Sequence, residues 1–132
     1  MQITASALSL NVDDPLASAT FAKQHLGFTE DMVHDGDFVS LSRQDAGFNL
    51  IYLRTNLESF KPESMRGRHA DGLLVVFVVD DIDEEYARLQ REGVQITTPI
   101  HTEPWGERFF QVMDPNGVVI QLVRWMVDNN AR

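Results

Sequence analysis

The sequence predicts an α+β fold made of two βαβββ modules, and three observations carry that prediction. The first is the order of elements: a strand, a helix and three strands, then a polar connector, then the same order again. The second is a set of markers at near-constant spacing. Val12-Asp13-Asp14 returns as Val79-Asp80-Asp81 (79 − 12 = 67), Leu26-Gly27-Phe28 as Glu92-Gly93-Val94 (93 − 27 = 66), and Gly47 as Gly117 (117 − 47 = 70). Such regularity over a whole unit marks a duplication. The third is the stretch 104–125, where two apolar runs, 108–113 and 118–125, flank Asp114-Pro115-Asn116-Gly117. Proline presets φ for a turn, and Asn and Gly tolerate the left-handed region at its end, so a hairpin is expected. One four-stranded module leaves an apolar sheet face uncovered. Two modules with curved mixed sheets, side by side, are therefore expected to enclose a cleft.

Residues 3–12 read as a strand without strict alternation, expected to be buried on both faces. Asp14 is a good N-cap, and Pro15 suits the first helical turn because its missing N–H is not needed there. The helix runs to about Leu26, with Ala19, Ala22 and Leu26 as a narrow apolar stripe and Gly27 as its stop. Three strands follow at 28–33, 38–43 and 48–54, separated by the turns 34–37 and 44–47. Residues 55–71 are polar and irregular and connect the halves. The β-branched run 72–79 is expected to be a fully buried strand. Asp81 caps the second helix, with Glu84 placed to reach back to it as in a capping box. Ile82, Tyr86 and Leu89 form the inner stripe and Gly93 ends the helix. A short strand at 94–98, a loop at 99–106, the hairpin and a polar tail at 127–132 complete the chain. One domain of 132 residues is expected, with modules at about 1–54 and 70–126 and a connector at 55–69.

The hydrophobic share of 43% is ordinary for a globular protein. No apolar run reaches membrane-span length, and the N-terminal residues do not show a basic-then-apolar signal pattern. The chain has no cysteine, which excludes disulfides and thiolate metal sites and fits a cytoplasmic location. A formal charge of −9 argues against nucleic acid as a partner, because phosphates would be repelled, and permits a cationic ligand.

The markers Val12-Asp13-Asp14, Leu26-Gly27-Phe28 and Asp114-Pro115-Asn116-Gly117 resemble those of the vicinal oxygen chelate superfamily, which includes glyoxalases, ring-cleaving dioxygenases and the fosfomycin- and bleomycin-resistance proteins. The resemblance spans residues 3–124 and implies the fold more firmly than an activity. It also implies where metal ligands would stand, on the first and last strand of each module. Counting from the markers gives Ala7, Leu74 and Gln121, with Ile51 or Asn49 as the fourth. Ala, Leu and Ile side chains cannot hold a divalent cation, and the amides of Gln121 and Asn49 are weak, neutral donors. His25, His34, His69 and His101 stand elsewhere, and an odd register shift of His69 toward Leu74 would turn it to the opposite face. No metal and no other cofactor is expected.

Leu26-Gly27-Phe28 with the acidic stretch 30–38, Asp83-Glu84-Glu85-Tyr86-Ala87, and Pro104-Trp105-Gly106-Glu107-Arg108-Phe109-Phe110 resemble the bleomycin-resistance branch in particular. That resemblance implies a metal-independent homodimer that sequesters a flat, cationic, antibiotic-like molecule at a dimer cleft. The Trp of the Pro-Trp-Gly motif, here Trp105, would stack on the ligand, with Phe38 near an opposing wall. Arg108 is weighed as a cleft group against an ion pair with Glu107 or a neighbouring strand; Phe110 shares its strand parity. Gln121 and Asn49 are candidate polar anchors, since an amide on an apolar strand face needs partners. The ligand-binding candidates are thus Trp105, Phe38, Arg108, Phe110, Asn49 and Gln121, with no catalytic residue. The alternative is a glyoxalase-like lyase or isomerase, or a dioxygenase-type enzyme, with a non-standard or absent metal site.

From Ala7, Leu74 and Gln121 at the ligand positions, the purified protein is expected to hold no stoichiometric metal. Elemental analysis checks this, and about one zinc, nickel, manganese or iron per chain would overturn it.

Overall fold

The computed structural model describes residues 1–126, which form two compact units divided between Asp71 and Gly72. The tail at 127–132 lies outside the described residues. In the first unit β1 (Ala7–Val12) leads into α1 (Pro15–Leu26), then β2 (Thr29–His34), β3 (Phe38–Ser42) and β4 (Asn49–Arg54). The second unit repeats the order as β5 (Leu74–Val78), α2 (Ile82–Arg91), β6 (Ile96–Thr102), β7 (Glu107–Met113) and β8 (Val119–Trp125). Each unit holds one open four-stranded sheet, ordered β1-β4-β3-β2 and β5-β8-β7-β6. The first strand pairs in parallel with the last and the remaining pairs are antiparallel, so both sheets are mixed.

Local chemistry sets the ends of both helices. The Asp14 carboxylate accepts from the Ala17 N–H at 3.2 Å, and Asp81 accepts from the Glu84 N–H at 3.2 Å, each satisfying a donor that the first helical turn leaves open. Glu84 does not reach back as a capping box requires; its carboxylate pairs instead with Arg91 at 3.1 Å. Gly27 ends α1 at φ 70°, and a Cβ there would lie 2.6 Å from the Arg43 guanidinium. That guanidinium donates to the Leu26 carbonyl at 2.7 Å, closing one of the open acceptors at the helix end.

The core of each unit lies between its helix and one sheet face. Leu10, Val12, Val39, Leu41, Leu50 and Tyr52 meet Ala19, Phe21, Ala22 and Leu26 in the first unit. In the second, Val75, Phe110, Val112, Ile120 and Leu122 meet Ile82 and Leu89. Alternation along the strands then sends every other side chain to the uncovered face. For this reason β5 is not buried on both sides as the β-branched run implied. Leu74, Val76 and Val78 are 49%, 40% and 48% exposed while Val75 is buried. The first strand is likewise one-sided and shorter than expected, and Ile3 lies outside it, exposed.

One connection also differs from expectation. β6 continues through Pro99 to Thr102 where a loop was read, because a sheet-edge strand tolerates proline; its register shifts on either side of Thr98. The connector is tied to the first unit by hydrogen bonds. Asn11 donates its amide to the Met65 carbonyl at 3.3 Å and accepts the Ala70 N–H at its own carbonyl, while Asp13 receives the Thr55 hydroxyl at 2.6 Å and contacts His69 at 2.8 Å. Among the described residues no helix is long and apolar enough to cross a membrane.

Phe110 is fully buried, with its ring 4.9 Å from that of Tyr86 on α2. Phe110→Ala is therefore expected to destabilise the fold by about 3–5 kcal/mol. Chemical denaturation checks this, and a change below about 1 kcal/mol would contradict the packing described.

Candidate functional site

The hairpin register determines what the uncovered face of the second sheet presents. The Asp114 carboxylate accepts the N–H groups of Asn116 at 2.8 Å and Val118 at 2.9 Å, and Gly117 takes φ 83°. This turn pairs Met113 with Val119, and the ladder then sets Gln111 opposite Gln121, Phe109 opposite Val123 and Glu107 opposite Trp125. Directly opposed residues share a face, so these eight side chains stand together, away from α2.

A continuous chain of hydrogen bonds crosses this face. The Thr98 hydroxyl donates to Gln111 Oε1 at 2.7 Å, Gln111 Nε2 donates to Gln121 Oε1 at 2.8 Å, and Gln121 Nε2 donates to Glu107 Oε2 at 3.1 Å. From the turn before β7, the Trp105 indole N–H donates to Glu107 Oε1 at 3.1 Å. Gln121 is buried, and its partners are thus Gln111 and Glu107. Trp105 is 59% exposed although its N–H is tethered, so much of the indole surface remains open. Opposite Phe109 in the ladder, His101 packs its ring against the Phe109 ring with centroids 4.6 Å apart.

The sequence candidates separate into three places. Trp105 and Gln121 meet through Glu107. Phe38 and Asn49 lie on the uncovered face of the first sheet, Phe38 level with Leu53 and Asn49 level with Ala7. Arg108 and Phe110 do share a face, as their parity requires, but it is the face beneath α2. Arg108 pairs with Asp83 on that helix at 2.6 Å and donates to Thr102 at 3.0 Å, and Phe110 is core; neither belongs to the uncovered face. Arg108's ion-pair partner is a helix residue rather than Glu107 or a carboxylate on a neighbouring strand. The hydrogen bond from Arg108 holds the Asp83 carboxyl below its ordinary pKa, and the same bond raises that of Arg108. Their attraction is present above the ordinary carboxylate range and fades as pH falls through the lowered value.

Glu107, Gln111 and Thr98 were not among the candidates. Glu107 and Gln111 were legible, since pairing Met113 with Val119 across the turn forces Gln111 onto Gln121 and Glu107 onto the same face. Thr98 was not, because its place depends on the register shifts in β6.

The donor set does not fit a metal centre. Ala7 and Leu74 offer no donor atom, and Val119 stands level with Leu74 as Asn49 does with Ala7. The counterpart of Gln121 in the first unit is therefore Ile51, not Asn49. Among the described residues no three His, Asp or Glu side chains gather as a cation would require. The four histidines have other surroundings: His25 is 5.0 Å from the Phe21 ring, His34 is exposed at the end of β2, His69 is on Asp13, and His101 is on Phe109.

The family model of the Glyoxalase/Bleomycin resistance protein/Dioxygenase superfamily matches residues 4–122. The chain belongs to this superfamily. Its members typically bind small molecules and form dimers. Among solved structures, TioX from Micromonospora sp. ML1 superposes with a TM-score of 0.75 at 23% identity, covering 93% of this chain and 99% of that one. Lactoylglutathione lyase from Agrobacterium tumefaciens gives a TM-score of 0.74 at 19% identity, covering 94% and 96%. A glyoxalase/bleomycin resistance protein/dioxygenase from Nocardioides gives 0.74 at 22% identity, covering 96% and 85%. At these identities the likeness concerns the fold. No curated protein matches the chain by sequence.

Because the Trp105 indole is exposed and held by a single hydrogen bond, Trp105→Ala is expected to change folding stability by no more than about 1 kcal/mol. A loss of about 3 kcal/mol or more in denaturation would mean that the indole is a packed core group.

Proposed function

We propose that this superfamily member is a metal-independent binding protein. It sequesters a flat, cationic, antibiotic-like small molecule, chemically unchanged, in a cleft formed by a homodimer. The observation that carries the reading is the exposed Trp105 indole, tethered at its N–H by Glu107 on the uncovered sheet face. An indole fixed at one edge offers its π-face without the loss of freedom that a mobile side chain would suffer on binding. Gln121 is the polar anchor beside it, and Phe38 and Asn49 are proposed as binding residues of the first unit. The non-fitting donor set at Ala7, Leu74 and Gln121 favours binding over metal-assisted catalysis. The exposed row Leu74, Val76 and Val78 on an edge strand supports burial against a second copy, because contiguous apolar surface of this kind marks an interface.

A flat ligand that raises the melting temperature of the wild-type protein is expected to bind Trp105→Ala more weakly by about 1–3 kcal/mol, the range for stacking on an aromatic side chain. Calorimetric titration measures this, and an unchanged affinity would remove Trp105 from the site. Sedimentation at micromolar concentration is expected to give a dimer, with an interface above roughly 1,000 Å². A monomer there would defeat the dimer part of the reading.

A further inference from the structure

We propose that Glu107 is the residue by which this site selects charge, making it prefer a flat organic cation to a neutral ring system of the same shape. The inference rests on Trp105 as the stacking surface and names the group that reads the ligand's charge. Both Glu107 oxygens are engaged, Oε1 by the Trp105 indole N–H and Oε2 by the Gln121 amide, each at 3.1 Å. Both donors are neutral. Among the described residues no Lys, Arg or His forms an ion pair with Glu107, and the adjacent Arg108 is committed to Asp83 on the other face of the sheet. The carboxylate is thus positioned by hydrogen bonds that leave its charge uncancelled. Each oxygen keeps a lone-pair direction for a further donor. Trp125, opposite Glu107 in the ladder, adds a second indole to the same face. A flat cation stacked on Trp105 gains from the π-face and from the nearby charge, whereas a neutral ring gains only the stacking.

The hydrogen-bonded chain gives the carboxylate a structural role that a neutral amide fills only if the chain runs the other way. A carboxylate is acceptor-only, so Gln121 must turn its NH2 toward it and its carbonyl toward Gln111, and Gln111 must turn its carbonyl toward the Thr98 hydroxyl. In Glu107→Gln one end of the new amide is a donor and would face either the indole N–H or the Gln121 NH2. The chain can relieve this by reversing, since the Thr98 hydroxyl can accept as well as donate. Glu107→Gln therefore keeps the face polar and hydrogen-bonded while removing the charge.

The test compares proflavine, a flat cation at neutral pH, with acridine, a neutral ring system of similar shape. The wild type is expected to bind proflavine about tenfold or more tightly than acridine. Glu107→Gln is expected to bring the two affinities to within about twofold, chiefly by weakening proflavine, and Glu107→Asp to retain a preference for the cation. In the wild type, raising salt from roughly 0.05 to 0.5 M should narrow the ratio, because screening shortens the reach of the charge. A proflavine preference that survives Glu107→Gln, or one in the wild type that salt does not alter, overturns the assignment. The salt measurement stands even if the Gln variant does not fold. If Trp105→Ala weakens both dyes while Glu107→Gln keeps the preference, charge selection alone fails. If Trp105→Ala alters neither dye, or the wild type binds neither, the stacking surface itself fails and this inference with it.

Discussion

Each unit has one helix and a sheet with two faces, and most of what this protein presents to its surroundings follows from that inequality. The helix covers one face, so alternation along strands such as β3 and β5 divides each into a row packed beneath the helix and a row facing away from it. On the packed rows stand Leu10, Leu41, Leu50, Phe110 and Val112, all fully buried. On the rows facing away from the helix stand the hydrogen-bonded polar groups Glu107, Gln111 and Gln121. A side chain's role here is decided first by the parity of its position and only then by its chemistry.

Arg108 and Phe110 illustrate how strictly this applies. Both belong to a stretch that resembles the bleomycin-resistance proteins, and each has chemistry suited to a ligand. Their parity places them beneath α2, where one pairs with Asp83 and the other packs on Tyr86. Glu107, one residue earlier, faces the other way and meets Trp105. A motif read as a string treats these neighbours alike, whereas the pleat separates them.

The fold was legible because its signals are local or periodic: the Asp14 and Asp81 caps, the left-handed Gly27, the Asp114 turn and the repeated spacing. What escaped depended on tertiary context. The β-branched run at β5 reads as doubly buried, yet only one helix is available to cover it. Glu84 has the spacing of a capping box but finds Arg91 a better partner on the helix surface. Pro99 suggests a loop unless it is known that β6 lies at the sheet edge. Within the candidate site, Trp105 and Gln121 could be singled out because an indole on a turn and an amide between valines each need explaining. Thr98 offered no such contradiction, because a polar residue in a short edge strand is unremarkable.

The glutamine chain has a further consequence when its members are regarded as dipoles. Backbone dipoles in a sheet largely cancel, unlike those of a helix, which add along its axis. Here the Thr98 hydroxyl and the Gln111 and Gln121 amides line up head to tail across three strands, each with its positive end toward the Glu107 side. Side chains thereby give this sheet face the directional field that a helix obtains from its backbone. The positive end of that field terminates on the Glu107 carboxylate, so the charge presented beside the open indole remains negative.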